Sequence, residues 1–282
     1  MSALYLIIII LGVSGQNVAQ KMYTKKVARG GALLFSAITA FFSMLFFVAT
    51  SRGLHWDPEI APYSLAFAIS FALSGICGVL AVAEGPLSLS SLMISYSLMI
   101  PTIYGIVFLR EPVSVSFLLG MGLLIVSLFL VNKKNDTCRI RPRWLILIFF
   151  AFMGNGLCST FQKIQQLAFD GAYKNEFMIF SLGIVSVILV IAALITAKGQ
   201  LKAELYHSRF LAPLSGLMNG TVNLLVMILS GMMTVSVMFP LISAGGIVVT
   251  YLVSKFFYKE KLTKMQMAGF LIGLASIVFL NI

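Results

Sequence analysis

Side-chain amides stand inside long apolar runs of this sequence. Asn219 and Asn223 lie four residues apart, and Asn155 and Ser159 show the same spacing earlier in the chain. Residues four apart share one face of a helix, and hydrocarbon makes an unsatisfied amide costly. These amides therefore either hydrogen-bond between helices or line a wet cavity, and the asparagines alone favour neither. A cavity of amides would bind a polar solute of modest charge.

Other apolar runs carry polar residues of the same kind. Hydroxyl groups most often bond to a neighbouring helix or to their own backbone, while a tyrosine either forms an aromatic wall or packs against apolar groups. We expect the candidate residues that line a substrate cavity to be Gln16, Asn17, Ser95, Tyr96, Asn155, Ser159, Asn219 and Asn223.

Three residues are candidates for coupling or gating. Pro101 has no N–H for the carbonyl of Ser97, and Pro240 has none for that of Ser236, so each should free an acceptor and kink its helix. Each proline is either a hinge or an ordinary membrane kink. Glu84 is the one acid near membrane depth, where an interfacial position is the simpler interpretation and ion coupling the alternative.

Enzyme chemistry finds no support in the sequence. His55 and His207 are far apart without metal-ligand spacing, and no acids form a close pair. The cysteines Cys77, Cys138 and Cys158 are odd in number and widely spaced, which favours free thiols. We therefore expect no catalytic residues, no metal and no cofactor.

The elements that must position these residues are membrane helices. Of the 282 residues, 60% are hydrophobic and 10% charged, and the apolar runs have the length that crosses a bilayer. We interpret the first apolar run as a retained helix, because it lacks the features of a signal peptide. Ten spans are predicted, at residues 3–22, 30–50, 61–83, 87–108, 115–131, 144–163, 176–197, 208–229, 233–254 and 264–281.

The net charge of +11 has a topological meaning. Sixteen of the 20 Lys and Arg residues fall at the connections after odd-numbered spans. By the positive-inside rule those connections are cytoplasmic, both termini lie outside, and nucleic acid is excluded as a partner. Lys21 and Lys163 end the first and sixth spans, where a lysine either snorkels to the headgroups or meets an anionic substrate.

The chain repeats itself. Residues 107–132 align without gaps over 256–281, matching Glu111 with Glu260, Gly120 with Gly269 and Ser127 with Ser276, and the first and sixth spans match at an offset of 142. We therefore expect an all-α membrane protein of ten helices in two five-helix repeats, 1–132 and 144–282, joined by a basic loop, 133–143. Because five is odd, the repeats should be inverted, as in many transporters with a midplane site.

Four stretches of the sequence resemble the EamA-type repeat of the drug/metabolite transporter superfamily. Two of them precede the glycine-bearing last helix of each half, LREPVS (109–114) and YKEKLT (258–263). The other two are GQNVAQK (15–21) and AEGPLSLSSL (83–92). The resemblance implies ten helices and secondary transport of small metabolites or drugs, often as export. It also implies cytoplasmic termini, against the charge count. The hexapeptide is read as a turn, with Ser114 capping the next helix and Glu111 complementing that helix's positive end or pairing with Arg110.

The expected function is alternating-access transport of a neutral, zwitterionic or anionic metabolite across the cytoplasmic membrane, as an exporter or exchanger. Proton-driven export of lipophilic cations is disfavoured, because Gln16 and Asn17 stand where the superfamily's small multidrug carriers have a carboxylate. A carrier-lipid flippase is the first alternative and a non-transporting scaffold or sensor the second. The expected partners are the solute and the bilayer, with a monomer or a homodimer through a seam at Gly269 and Gly273.

Overall fold

The part of the chain that the structure describes is mostly helical. The computed structural model describes residues 2–24, 29–51, 53–55, 57–84, 90, 93–94, 96–132, 142–196, 205–206, 208–256 and 264–281. Its ten α-helices are α1 (Ser2–Thr24), α2 (Arg29–Thr50), α3 (Ala61–Glu84), α4 (Met99–Val107), α5 (Val115–Asn132), α6 (Pro142–Ala168), α7 (Lys174–Thr196), α8 (Leu211–Ser230), α9 (Val235–Phe256) and α10 (Lys264–Asn281). Pro58–Ile60 form a 3₁₀ turn before α3.

Five segments of these helices are long and apolar enough to cross a membrane: Gly31–Thr50, Pro58–Ala81, Pro142–Ala168, Lys174–Thr196 and Leu211–Ser230. The all-helical prediction is confirmed for the described residues, and five such segments fit a membrane protein. Large apolar side chains also remain exposed on the outer faces of the helices, where lipid would cover them.

The fourth predicted span differs from a continuous helix. A turn at Ser97 and Leu98 precedes α4, which begins only at Met99. The Ser97 hydroxyl donates to the Ile94 carbonyl at 2.6 Å, and the Ser97 carbonyl accepts the N–H of Ile100 at 3.0 Å. The prediction that Pro101 leaves the Ser97 carbonyl free is therefore wrong, because a neighbouring N–H takes its place.

Helices of the first and second halves of the chain pack against each other in pairs. α2 lies along α7, α3 along α6, α5 along α10, α8 along α1 and α4 against α9. The largest apolar cluster joins α2, α3 and α7, where the ring of Phe67 meets that of Phe177 edge to face at 5.5 Å and Phe47 is fully buried.

Two hydrogen bonds join α5 to α10 in a reciprocal pattern. The Ser127 hydroxyl donates to the Gly269 carbonyl at 2.7 Å, and the Ser276 hydroxyl donates to the Gly120 carbonyl at 2.9 Å. Gly269 and Gly273 are both buried. The dimer seam at Gly269 and Gly273 stays a prediction, and in this structure α5 of the same chain covers Gly269.

Glycines permit the closest helix approaches. A Cβ added at Gly154 of α6 would lie 2.6 Å from the Ser70 carbonyl oxygen of α3, and one at Gly12 of α1 would lie 2.6 Å from Val222 of α8. Small residues at such crossings let membrane helices pack backbone to backbone. The same glycine position in α1 and α6 thus fixes the α1–α8 and α3–α6 contacts.

Candidate functional site

A chain of amides crosses the interior between four helices. The Asn219 amide donates to the Gln16 side-chain oxygen at 2.9 Å, and its own oxygen accepts from the Ser43 hydroxyl at 3.1 Å and from the Asn223 amide at 3.0 Å. The Asn223 oxygen accepts from the Gln162 amide at 2.7 Å. We call these five residues, from α1, α2, α6 and α8, the amide network.

Helix geometry on α8 sets the spacing of the amide network. Asn219 and Asn223 are one turn apart, so both face the same neighbours, and the Asn223 amide also donates to the Asn219 carbonyl at 2.8 Å. Gly216 lies one turn earlier, where an added Cβ would meet the Thr39 carbonyl oxygen of α2 at 2.8 Å. This close α2–α8 approach brings the Ser43 hydroxyl within reach of Asn219.

The amides satisfy one another as the structure stands. Gln16 also donates to the Gly12 carbonyl at 3.3 Å, and Gln162 also contacts the sulfur of Met178 at 3.9 Å. A polar solute entering here would exchange these contacts for its own donors and acceptors, which costs little because amides offer both. The arrangement can therefore bind a neutral polar group without removing a charge from water.

Asn155 lies elsewhere. Its amide donates to the Ser97 hydroxyl at 2.6 Å, at the turn before α4. An added Cβ at Gly156 would lie 2.6 Å from the Ser97 carbonyl oxygen, so α6 approaches that turn closely. Asn155 is seven residues from Gln162, roughly 10 Å along α6. Asn155 therefore ties α6 to the break in the fourth span, two turns from the amide network.

The remaining cavity candidates are not brought into the amide network. Ser159 is half-buried on α6. The Tyr96 hydroxyl donates to the Ile125 carbonyl of α5 at 3.0 Å, and its ring packs with Leu124 and Leu128. Ser95 and the side chain of Asn17 lie outside the described residues.

The gating candidates occupy three separate places. Glu84 pairs with Arg143 at 3.4 Å across the ends of α3 and α6, and Arg143 is 75% exposed. Pro240 lies inside α9. Pro101 is buried in the first turn of α4. The three gating candidates therefore do not form one cluster.

The turn between α4 and α5 contains a contact that sequence reasoning missed. Ser114 caps α5 as predicted, accepting the Phe117 N–H at 3.0 Å. Glu111 does not serve that helix: its two carboxylate oxygens accept the N–H groups of Val235 at 3.0 Å and Ser236 at 2.8 Å. The prediction for Glu111 is wrong because α9, 124 residues away, brings its N-terminus to the turn. Arg110 supports the turn with a positive φ of 53°.

Of the two positions predicted for Lys163, the headgroups and an anionic substrate, the structure contradicts the first. Lys163 is only 8% exposed, and its ammonium donates to the carbonyl of Ser230, the last residue of α8. It does not snorkel outward, because α8 ends beside it and offers a carbonyl that no N–H of the helix itself satisfies. Its neighbour Gln162 belongs to the amide network, so a charged group stands close to the uncharged ones.

Possible metal ligands and cysteines also lie in the part of the chain that the structure describes. No group of three or more His, Cys, Asp or Glu side chains there could hold a metal ion. Cys77 and Cys158 are free and buried, and Cys138 lies outside the described residues.

Comparison with known proteins identifies the fold alone. No protein-family model matches the chain, and no curated protein matches its sequence. Among solved structures, 28 chains match. One, described only as "Crystal structure of protein", superposes with a TM-score of 0.72 over 99% of this chain and 98% of the other, at 11% identity. The two chains share a fold over nearly their whole lengths.

Proposed function

We propose that the chain is a secondary carrier that moves a small polar solute across the cytoplasmic membrane by alternating access, as an exporter or exchanger. The observation that carries this proposal is the amide network, because it joins Gln16 and Ser43 of the first half to Asn219 and Asn223 of the second. A site held by both halves can change its accessible side when the halves move. The resemblance to EamA-type repeats supports the same function.

An inverted repeat accounts for how the halves pack. In a two-fold repeat each helix from α1 to α5 corresponds to the helix five places later. The α3–α6 contact then corresponds to α8–α1, and the α2–α7, α4–α9 and α5–α10 contacts each correspond to themselves. The reciprocal bonds of Ser127 and Ser276 follow the same rule at an offset of 149. Two similar halves related in this way exchange conformations to turn an inward cavity into an outward one.

Links between the halves lie at both ends of the helices. At one end Glu111 holds the first two N–H groups of α9, and Glu176 accepts the His55 N–H at 3.2 Å. At the other end Glu84 pairs with Arg143, and the Trp144 indole donates to the Ser90 hydroxyl at 3.0 Å. Alternating access requires one set of links to open while the other stays closed.

The first experiment identifies a ligand and then measures flux. Thermal unfolding of the purified protein against metabolites, drugs and lipids detects a ligand at ten times its Kd, since this stabilises by about 1.4 kcal/mol. Uptake of that ligand into proteoliposomes is then compared between wild type, Asn219→Ala and the matched control Thr221→Ala. Thr221 lies on the same helix and bonds only to its own Leu217 carbonyl in the structure.

We expect Asn219→Ala to lower flux by roughly tenfold, because it removes one donor and a doubly used acceptor from the amide network. Thr221→Ala should transport normally. Equal flux in wild type and Asn219→Ala, at equal amounts of folded protein, would remove the amide network from the transport path.

A second candidate, a carrier-lipid flippase, is favoured by an apolar pocket between α4, α5 and α9. Leu98, Thr102, Leu124, Ile125 and Pro240 contribute to its lining, and Ile125 is 38% exposed. Its cavity volume of about 10 Å³ holds no more than one water molecule, so an acyl chain would enter only if α4, α5 and α9 moved apart. Stabilisation by one lipid and by no soluble compound in the thermal panel would support the flippase over the metabolite carrier.

A further inference from the structure

Lys163 is a buried cation beside the amide network. Its ammonium has three N–H donors, and the structure gives it one hydrogen bond, to the carbonyl of Ser230. A charge that leaves water is costly unless an opposite charge contacts it. The nature of the anion that balances Lys163 is therefore a question about function.

One acidic side chain close to the end of α8 is already engaged. Glu111 lies at the start of α9, which begins five residues after Ser230, and both of its oxygens accept backbone N–H groups there. Among the residues that the structure describes, the ion pair is that of Glu84 with Arg143, at the opposite helix ends. Within that part of the chain, Lys163 thus has a carboxylate near it but none in contact.

Lys163 follows one member of the amide network directly along α6 and contacts the same helix, α8, that carries two other members. Its acceptor, Ser230, lies seven residues after Asn223 on α8, so the two positions share a helix face and are roughly 10 Å apart along the axis. On α6, Gln162 precedes Lys163 directly and bonds to Asn223. Because Gln162 and Lys163 are consecutive on α6, a solute that contacts Gln162 would also lie near the ammonium.

We propose that Lys163 binds the anionic group of the transported solute while Gln162 and Asn223 bind its polar remainder. This inference rests on the proposed transport function and narrows it to organic anions and zwitterions, with carboxylate or phosphate as the charged group. In the absence of solute, the Ser230 carbonyl accepts a hydrogen bond from the ammonium. Lys163 is a specificity residue for this solute class, in addition to capping α8.

The test compares anionic probes with neutral partners that lack the anionic charge. Apparent Kd values from thermal-shift titrations are measured for N-acetylleucine and N-acetylleucinamide, succinate and succinamide, and glycerol 3-phosphate and glycerol. The proteins are wild type, Lys163→Gln, Lys163→Arg and the control Lys264→Gln. Lys264 is exposed at the start of α10, so its substitution removes the same charge from the surface.

In wild type we expect at least one charged probe to bind about tenfold or more tightly than its neutral partner, the usual effect of a hydrogen bond to a charged group. The preference should fall to about onefold in Lys163→Gln and persist in Lys163→Arg and Lys264→Gln. A preference within the carboxylate pairs identifies a carboxylate solute, and one within the phosphate pair alone identifies a phosphate.

The proposal is overturned if wild type binds no charged probe more tightly than its neutral partner, or if Lys163→Gln keeps the preference. If Lys163→Gln does not fold, Lys163→Met, which keeps the chain length without the charge, takes its place, and the wild-type ratios remain decisive. If wild type binds neutral probes without preferring the charged ones, and Asn219→Ala does not bind them, the transport proposal stands and Lys163 has no part in solute binding. Binding of no soluble probe at all would count against both.

Discussion

The contact between Glu111 and the N-terminus of α9 gives the sharpest prediction. In Glu111→Gln one oxygen remains to accept an N–H and the negative charge is lost, so one charge-assisted bond disappears and the other weakens. Hydrogen bonds to charged groups contribute about 1.5–3 kcal/mol. Because Glu111 is only half-buried, we take the lower end and expect a loss of about 1.5 kcal/mol.

The matched control is Glu84→Gln. This change also neutralises an acid at a helix end, but its partner Arg143 is 75% exposed, and such pairs contribute about 0–1 kcal/mol. For a chain of this size 1 kcal/mol shifts the thermal midpoint by about 2–4 °C. Glu111→Gln should therefore lower the midpoint by about 3–6 °C, and Glu84→Gln by at most about two thirds of that.

The assay is thermal unfolding of both variants in the same mild detergent, followed by intrinsic fluorescence. A second variant reaches the contact without changing charge: a Cβ at Gly105 would lie 2.5 Å from a Glu111 carboxylate oxygen and 2.7 Å from Val235. Gly105→Ala should thus lower the midpoint at least as much as Glu111→Gln. A midpoint for Glu84→Gln as low as that of Glu111→Gln would refute the reasoning, since the helix cap would then be no stronger than the ion pair with the exposed Arg143.

Two further predictions concern helix packing. Gly154→Ala should lower the thermal midpoint by several degrees, because its Cβ meets α3 backbone, whereas Gly122→Ala, which has open space around it, should leave the midpoint within about a degree or raise it. Ser127→Ala and Ser276→Ala should each cost about 1 kcal/mol and shift the midpoint equally in the same measurement, since the two serines make equivalent bonds; markedly unequal shifts would contradict that equivalence.

Sequence patterning predicted nine of the ten helices closely, because the thickness of hydrocarbon fixes how long an apolar run must be. The described boundaries of α1, α2 and α3 lie within two residues of the predicted spans. The fourth predicted span is interrupted at Ser97 and Leu98, because local polar chemistry breaks the helix there. Ser97 and its hydroxyl redirect the backbone just before α4, and Asn155 holds the turn from another helix.

The candidate site was predictable along each helix and not between helices. The spacing of Asn219 and Asn223 correctly indicated a shared face, since that depends only on helical geometry. Their partners Ser43 and Gln162 depend on how α2 and α6 are rotated and how closely glycines let them approach. Local rules placed Lys163 either at the headgroups or beside an anionic substrate, and the structure instead brings its ammonium to the end of α8.

The paired bonds between α5 and α10 make this contact isologous, the type that joins identical subunits. Ser127 donates to Gly269, which is the counterpart of Gly120 in the second half. Ser276, the counterpart of Ser127, donates to Gly120. A surface of this kind is complementary to itself. A separate five-helix chain with this surface would form the same two bonds with a second copy of itself. Because the two halves are joined in one chain, each half has a fixed partner, and the sequences of the halves are free to diverge elsewhere.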